Sequence, residues 1–390
     1  MAKQAELRLL GPQYDWRGLI EQHGSPLLVL DCDTLRRQYR LLAHALPGVD
    51  LYFAIKALPH EVVLTTLYRE GCNFDLATQG EIRLLEKHLV SPRKTIHTHP
   101  IKRDVDIRAA LRYGCTTFVV DNETELDKFV RYRERVGLLL RLSFPNPDAL
   151  INLSKKFGLP VREAPAFLNR ASALGVHIKG LSFHVGSQCR DPGAHVRAIR
   201  DCTELIRSTR SSREVPMRIL DIGGGFPTSY DGSGMGVEEF CAPIREVLAM
   251  LPGNIHAIAE PGRFIAAPSM TCIASVIGKA KRGERMWYYL DDGVYGSFSG
   301  QIFDHVSYPL FTLREGPLHP CVLAGPTCDS IDIIREEAML PDLELGDLVI
   351  APMMGAYTSA TATDFNSLPR TAIIALNTDM NAENSFTKIA

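Results

Sequence analysis

From residue 51 onward, short apolar runs alternate with segments whose apolar residues recur at helical spacing. Eight of the runs resemble strands: "LYFAIK", "CNFDLA", "TIHTH", "TTFVV", "GLLLRLS", "KGLSFHV", "MRILDIG" and "IHAIAEP". Helix-like segments separate them, for example 162–174, 193–208 and 237–251. Such runs, joined by helices, are typical of a parallel sheet. Eight repeats predict a closed (β/α)8 TIM-type barrel, and a doubly wound open sheet is the structural alternative.

The pattern changes at both ends of this region. After residue 268, strand candidates such as "TCIASVIGKA", "RMWYYLDD" and "DLVIAP" are separated by turns, which is typical of a β domain. The early run "PLLVLD" has no helical partner, so we expect it to pair with that domain. The predicted α/β architecture is a barrel over 32–268 and a β-sandwich or barrel-like domain formed by 1–31 with 269–390. The segment "DTLRRQYRLLAHAL" predicts a helix with Asp33 as its N-cap.

Composition narrows the possible functions. The 390 residues are 45% hydrophobic and 23% charged, which is the balance of a soluble globular protein. A net charge of -2 gives no electrostatic basis for binding nucleic acid or an anionic membrane. The first residues lack the apolar core of a secretion signal, and no stretch is apolar enough to span a membrane. Nine scattered cysteines without C-x-x-C spacing argue against a disulfide framework or a thiolate zinc site and favour a reducing cytoplasm, with most thiols packed in the core.

Reactive side chains fall where the predicted strands end. They are Lys56, Asp75, His97, His99, Arg141, His184, the glycines 223–225 and Glu260. In a (β/α)8 barrel the carboxyl ends of the strands form one rim, where active sites are built. Solvent exposure would explain some polar strand ends, but it does not explain a lysine, a triple glycine and "EPGR" together. We therefore expect these side chains to converge.

Two of these motifs indicate a phosphate site. The glycines of "DIGGGFP" allow backbone N–H groups to approach an anion, although tight turns also need glycine. "EPGRF" adds Gly262 and Arg263, and an arginine can pair with a phosphate. A phosphate site, a lysine amine and a carboxylate on one rim suggest pyridoxal 5'-phosphate, held covalently by the lysine with an acidic group on its ring nitrogen. This reading predicts that Lys56 is buried at the rim.

The chain resembles the alanine-racemase-like (fold type III) pyridoxal-phosphate decarboxylases, in the ornithine/lysine decarboxylase branch. The motifs that carry the resemblance are "YFAIK", "FDLATQGEI", "SFHVGSQ", "DIGGGFP", "EPGRF", "DDGVYGSF", "GPTCDSID" and "GAYT". The resemblance implies that Lys56 holds the cofactor, Glu260 contacts the pyridine nitrogen and His184 stacks on the ring. It implies that the phosphate is bound by Ser187, Gly225, Arg263 and Tyr357, with Gly224 and Gly262 nearby. It also implies supporting roles for Asp75, Glu81 and Arg141.

The resemblance further implies how substrate is recognised. Cys328 is expected to donate the proton that replaces the lost CO2. Asp304 and Asp329 are expected to bind a distal ammonium group, with Tyr295 and Phe365 lining the substrate pocket. A cationic tail is naturally received by carboxylates, and the diaminopimelate branch usually has Glu in place of Asp329. "GPTCDSID" is expected to act in the neighbouring subunit of a homodimer, and Lys156 and Asp332 match an ion pair between subunits.

The predicted reaction is decarboxylation of L-ornithine to putrescine, in polyamine biosynthesis. A dual ornithine/lysine or lysine decarboxylase is the nearest alternative, because one methylene contributes only about 1–3 kcal/mol to discrimination. An amino-acid racemase shares the fold, and a non-catalytic homologue typically loses the lysine or the cysteine. A metal-dependent hydrolase could use "HTH" (97–99) as a metal pair. Ser367 replaces a glycine of the usual "FNGF" and puts the shape of that loop in question.

Overall fold

The computed structural model describes residues 14–146, 153–209 and 216–378. The chain forms two compact units, which we name the barrel unit (39–228 and 235–264) and the β unit (1–38, 229–234 and 265–390). Compactness alone does not show which segments fold independently, so the domain limits at 32 and 268 stay a prediction. Most of the N-terminal segment considered for a secretion signal lies outside the described residues.

Seventeen strands are found in the described part of the chain: β1 (Leu27–Asp31), β2 (Asp50–Ala54), β3 (Asn73–Leu76), β4 (Thr95–His97), β5 (Thr117–Val120), β6 (Gly137–Ser143), β7 (Leu159–Pro160), β8 (Ile178–Phe183), β9 (Ile219–Asp221), β10 (His256–Ala259), β11 (Met270–Arg282), β12 (Arg285–Leu290), β13 (Phe311–Thr312), β14 (His319–Ala324), β15 (Ile333–Leu340), β16 (Leu348–Ala351) and β17 (Ala372–Leu376). The α-helices there are α1 (Trp16–His23), α2 (Cys32–Ala45), α3 (Glu61–Arg69), α4 (Gln79–Lys87), α5 (Asp104–Tyr113), α6 (Glu123–Phe129), α7 (Ala164–Ala173), α8 (Gly193–Thr209), α9 (Val237–Leu248), α10 (Arg263–Ala266) and α11 (Gly300–Asp304).

The barrel unit contains a closed parallel sheet. Its eight strands pair in the order β2, β3, β4, β5, β6, β8, β9 and β10, and β10 pairs with β2. The short β7 pairs with β6 outside this ring. The predicted (β/α)8 barrel is therefore confirmed, and the open doubly wound sheet is excluded because no edge remains between β5 and β6.

Side chains of the barrel strands alternate between the interior and the surrounding helices. Strands on opposite sides of the ring contribute to one buried apolar cluster, which consists of Ile96, Val119, Leu139 and Ile258. Arg141 and Glu260 lie two positions beyond members of this cluster and so face the same way. Asp75 pairs directly with Ile96. The alternation therefore directs these polar side chains toward the interior at the carboxyl ends of the strands.

His97 faces away from this interior, because it follows Ile96 directly. Its ring lies 5.6 Å from that of Phe118, which in turn lies 5.1 Å from the ring of Phe129 on α6. His97 is fully buried, and neither ring nitrogen has a hydrogen-bond partner among the described residues. Burial lowers its pKa to about 3, and the charge of Lys102 contributes. The expectation that His97 joins the rim residues is wrong, because strand alternation places it in the outer core.

The β unit contains a mixed sheet in the order β13, β16, β11, β12, β14 and β15. β1 pairs antiparallel with β11 and parallel with β17, as predicted for "PLLVLD". Trp16 and Leu27 help to form a buried apolar cluster in this unit. α2 begins at Cys32, two residues earlier than a helix capped by Asp33 would. Asp31 rather than Asp33 is its cap, because the backbone N–H groups of Asp33 and Thr34 donate to the Asp31 carboxylate at 3.1 and 3.2 Å. No helix in the described ranges is long and apolar enough to cross a membrane.

Replacing His97 with leucine should stabilise the protein most at acidic pH. The folded state resists protonation of His97 while the unfolded chain protonates near pH 6.5, so this residue destabilises the fold as pH falls below that value. Relative to neutral pH, the cost approaches the order of 3 kcal/mol at about pH 4. Urea unfolding of wild type and His97→Leu at several pH values measures it. Exposed His44→Gln is the control, and a stability difference that does not vary with pH would contradict the assignment.

Candidate active site

Lys56 lies at the rim of the barrel in a single turn, Ile55–Ala57, that follows β2. Its Nζ donates to Oδ2 of Asp75 on the adjacent strand β3 at 2.7 Å. The Asp75 side chain is 1% exposed, whereas the Lys56 side chain is 47% exposed. The prediction of a buried lysine is therefore wrong, because the turn carries the side chain past the end of the strand. The ammonium group is instead held by a buried carboxylate.

Glu81 lies close to this pair but has a different set of partners. Its carboxylate accepts hydrogen bonds from the backbone N–H groups of Ala77 at 2.5 Å and Thr78 at 3.1 Å, which forms the capping box of α4. Burial raises the pKa of Glu81, and the charge of Asp75 adds to the effect. Glu81 thus fixes the start of the helix that follows β3.

Glu260 and Asp221 form a buried pair of carboxyl groups inside the barrel. Asp221 ends β9 and accepts from Ser182 Oγ at 3.0 Å and from the Gly223 N–H at 2.9 Å. Burial raises the pKa of Glu260 well above its ordinary value, and the charges of Asp221 and Asp75 raise it further. Since two adjacent carboxyl groups resist ionising together, Glu260 holds a proton that it shares with Asp221.

Gly224 lies between the Glu260 backbone and the ring of His184. A Cβ atom at this glycine would lie 2.6 Å from the Glu260 carbonyl oxygen and 3.1 Å from His184 Nε2. The backbone N–H of Gly186 donates to Nδ1 of His184 at 3.0 Å and fixes the ring. Burial lowers the pKa of His184, and the positive charges of Arg141 and Lys56 lower it further, so the imidazole is neutral. The loops after β8, β9 and β10 therefore meet at this glycine.

A second group of residues forms a cradle suited to an anion. Nε of Arg263 donates to Ser187 Oγ at 3.3 Å. Gly225 has φ of 97°, and a Cβ there would lie 2.3 Å from the Gly186 carbonyl oxygen. Gly262 directly precedes Arg263 and is buried. A guanidinium, a hydroxyl and side-chain-free backbone fit a phosphate group.

Arg141 completes the set of predicted side chains in the barrel unit. It lies near the end of β6, and its guanidinium carbon is 5.5 Å from the centre of the Phe157 ring. His99 packs against the same ring at 5.8 Å. In the described part of the chain, no three His, Cys, Asp or Glu side chains are arranged to hold a metal ion.

Two residues of this site were missed by sequence reasoning. Asp221 is visible in the motif "DIGGGFP" as a polar residue at a strand end, which was a usable signal. His195 lies within α8, is fully buried, and its Nε2 is 3.2 Å from the Gly224 carbonyl oxygen. Its ring stacks on Phe226 at 5.4 Å. A histidine inside an amphipathic helix gives no sequence signal that it contacts a distant glycine loop.

The β unit brings together three of the four predicted substrate-binding residues, next to the predicted proton donor Cys328. The Tyr295 hydroxyl donates to Oδ2 of Asp329 at 2.6 Å, and the Tyr295 ring stacks on Phe365 with centres 4.3 Å apart. Cys328 directly precedes Asp329 and is exposed, whereas the other eight cysteines are buried, as expected for core-packing thiols. The Tyr295 hydroxyl lowers the pKa of Asp329, so that carboxylate is negatively charged at neutral pH.

Asp332 holds the loops that carry these residues. Its Oδ1 accepts from the Val294 N–H at 2.8 Å, and its Oδ2 accepts from the Thr327 N–H and hydroxyl at 3.0 and 2.7 Å. The side chain is 2% exposed and lies within its own unit. The proposed ion pair with Lys156 stays a prediction. Asp304, buried at the end of α11, and Tyr357, with φ of 55° after β16, occupy other elements of the β unit.

Comparison with known proteins agrees with this arrangement. A family model described as "Pyridoxal-dependent decarboxylase, pyridoxal binding domain" matches residues 32–267. A lysine/ornithine decarboxylase from Vibrio vulnificus, solved in complex with putrescine and with cadaverine, is 52% identical, has a TM-score of 0.89, and matches across 97% of this chain and 99% of its own. A lysine/ornithine decarboxylase from Selenomonas ruminantium is 36% identical over 346 residues, 88% of this chain and 87% of that protein. Antizyme inhibitor 2 from Xenopus laevis is 35% identical over 361 residues, 87% of this chain and 78% of that protein.

The barrel, its rim lysine and its phosphate cradle define a pyridoxal-phosphate enzyme of the alanine-racemase-like fold type III. The chain belongs to the pyridoxal-dependent decarboxylases, in the ornithine/lysine decarboxylase branch. It is a pyridoxal-phosphate-dependent carboxy-lyase that acts on basic amino acids. Three groups of this site fit that cofactor: the Lys56 amine suits its aldehyde, the Glu260 carboxyl its ring nitrogen, and the Ser187–Arg263 cradle its phosphate. The individual roles of the predicted residues stay predictions.

Replacing Glu260 with glutamine should reduce the pH dependence of stability of the cofactor-free protein. A raised pKa in the folded state means that the protonated carboxyl stabilises the fold at low pH. This contribution is lost as pH rises from the ordinary glutamate value of 4.5 toward the folded pKa. The unfolding temperature of Glu260→Gln should therefore fall less than that of wild type between about pH 5 and pH 8. The exposed Glu239→Gln variant is the control, and equal slopes for wild type and Glu260→Gln would refute the shared proton.

Proposed function

We propose that this chain decarboxylates L-ornithine, which yields putrescine and CO2. The observation that carries the proposal is the charged Asp329 carboxylate, held by Tyr295 beside the exposed thiol of Cys328. A carboxylate here attracts a substrate whose far end is an ammonium group and repels one whose far end is a carboxylate. The Vibrio vulnificus relative, solved with putrescine and with cadaverine, supports a diamine as the product.

The residues described above suit the steps of such a reaction. Pyridoxal phosphate supplies an electron sink when the carboxylate leaves as CO2. Asp75 holds the Lys56 ammonium at the rim, and Glu260 carries a proton suited to a pyridine nitrogen. His184 adds no charge, because it is neutral. In this proposal the Cys328 thiol gives its proton to the carbon that lost CO2.

Dual activity on ornithine and lysine is the second candidate. It is supported by the two relatives named lysine/ornithine decarboxylase, one of them solved with both putrescine and cadaverine. One methylene changes binding by only about 1–3 kcal/mol. A pocket that accepts ornithine therefore discriminates against lysine only through the placement of its walls, to which Phe365 and Asp304 would contribute.

A homodimer with shared active sites is also proposed. The β unit exposes apolar side chains next to its predicted substrate residues: Ile302 and Phe303 before Asp304, Ile331 after Asp329, and Leu368 after Phe365. Exposed apolar side chains rimmed by polar groups are typical of protein interfaces. A cytoplasmic location, expected from the scattered cysteines, likewise stays a prediction.

CO2 release from L-ornithine, L-lysine, L-arginine and meso-diaminopimelate, with and without added pyridoxal phosphate, tests the substrate. Ornithine should give the highest kcat/KM, because Asp329 attracts its ammonium and its chain is the shorter of the two diamino acids. Comparable turnover of lysine would establish the dual enzyme. Highest turnover of meso-diaminopimelate would refute the role given to Asp329, and its carboxylate tail makes it the matched control.

Mixing two inactive variants tests the shared site. Lys56→Ala should lose the visible absorbance of bound cofactor, while Cys328→Ala should keep it and release little diamine. If Cys328 acts in the partner's site, hybrid dimers contain one intact site and the mixture regains up to about a quarter of wild-type activity. The sedimentation coefficient of the mixture controls for dissociation. Failure of stable hybrid dimers to recover any activity would exclude sites built from both subunits.

A further inference from the structure

A short turn of the β unit lies directly against the Cys328 thiol. It comprises Phe365–Ser367. Nδ2 of Asn366 is 3.4 Å from Sγ of Cys328 and donates toward it, and Sγ lies 3.8 Å from Oδ1 of the same amide. The two residues are 38 positions apart in sequence. Asn366 is not among the candidate site residues that the sequence indicates.

The backbone of the turn holds the amide in this place. Asn366 and Ser367 have φ of 56° and 55°, in the left-handed region that asparagine tolerates better than most residues. The backbone N–H of Thr363 donates to the Tyr295 carbonyl oxygen at 2.9 Å and ties the approach to the turn to the Tyr295 loop. Ser367 stands where the motif "FNGF" of the resembled family would place glycine, and its φ of 55° is one that glycine adopts readily.

The same turn is linked to the residue beside Cys328. The Phe365 ring stacks on Tyr295, whose hydroxyl donates to Asp329. Phe365 is thus linked to Asp329 through Tyr295, and the next residue of the turn, Asn366, contacts Cys328 directly. Loss of the Asn366 amide or of the Phe365 ring would therefore move the thiol relative to the carboxylate that is proposed to anchor the substrate, whereas no side-chain contact of Ser367 among the described residues reaches this pair.

An exposed thiol needs such a contact in order to deliver a proton to one particular atom. The S–H bond rotates freely about Cβ–Sγ, and proton transfer requires it to point at the acceptor. A side-chain amide can donate to sulfur and accept from S–H, which restricts this rotation. Asn366 is the amide placed to do so among the described neighbours of Cys328.

We propose that Asn366 is a positioning residue that holds the Cys328 thiol for proton delivery. The inference rests on the proposed function, in which the bond from the α carbon to the carboxylate breaks, CO2 leaves, and the electron pair remains on the carbon side. The Cys328 S–H bond then breaks, its proton forms the new C–H bond, and solvent reprotonates the thiolate. If the proton reaches another atom, CO2 is released without an equal amount of diamine.

A matched pair of variants tests this proposal. Asn366→Asp keeps the size of the side chain and its tolerance of positive φ, but it replaces the N–H donor with a charged acceptor. Ser367→Asp adds the same charge one residue further on and leaves the Asn366 amide in place. The first readout is the molar ratio of diamine to CO2. We expect a ratio of one for wild type and Ser367→Asp, with a lower ratio and a fall of about tenfold or more in kcat for diamine in Asn366→Asp.

The second readout does not depend on catalysis. Because Cys328 is the exposed cysteine of the nine, iodoacetamide should alkylate it selectively. A carboxylate in contact with sulfur disfavours the reactive thiolate, so Asn366→Asp should be alkylated about threefold or more slowly than Ser367→Asp. Circular dichroism confirms that both variants are folded.

The outcomes separate the inference from the function on which it rests. If wild type releases no CO2 from any of the four amino acids, the proposed function fails. The alkylation rates alone then test whether Asn366 holds the Cys328 thiol. Equal alkylation of the two variants would overturn the role of Asn366. A diamine-to-CO2 ratio of one with wild-type turnover in Asn366→Asp would overturn it as well.

Discussion

Closure of the parallel sheet is the constraint on which the barrel unit depends. Once β5 pairs with β6, each of the eight strands of the ring has two neighbours, and each of their side chains faces either the barrel interior or the ring of helices. Alternation then decides which polar groups meet. Asp75, Arg141, Asp221 and Glu260 fall on the interior face at the carboxyl ends of their strands, while His97 falls on the outer face, although it too stands at a strand end.

This concentration of acidic groups in a closed interior requires compensation. Asp75 is paired with the Lys56 ammonium and accepts a hydrogen bond from the Thr98 hydroxyl, whereas Glu260 and Asp221 share a proton. Without a cation or a proton, three buried carboxylates would repel one another at a cost of several kcal/mol. The same arrangement that keeps the fold stable leaves a held proton and a nearby amine, which are two groups that a pyridoxal-phosphate enzyme uses.

In the β unit, a buried carboxylate and a turn hold exposed loops in one conformation. Asp332 is buried between the segments that carry Tyr295 and Cys328, and Gly293 and Gly325 lie so close to it that a Cβ on either would be 2.2 Å from its Oδ1. The turn at Asn366 adds a contact to the thiol itself. The side chains predicted to face the substrate thereby gain fixed positions from one buried carboxylate and one turn with positive φ.

The sequence by itself determined the eight-stranded repeat, the β unit with its N-terminal strand, and the residues that stand at strand ends, because hydrophobic periodicity and motif spacing are local properties of the chain. Only the tertiary structure decided which of those residues meet. It showed that Lys56 is half exposed, that His97 belongs to the outer core, and that Asp221, His195 and Asn366 contact site residues distant in sequence. The position of His97 depends on which face of its strand each side chain occupies, and that of Lys56 on the turn that follows β2. The other contacts join residues 29 to 39 positions apart in sequence. No local pattern encodes such distances, so only folding brings these groups together.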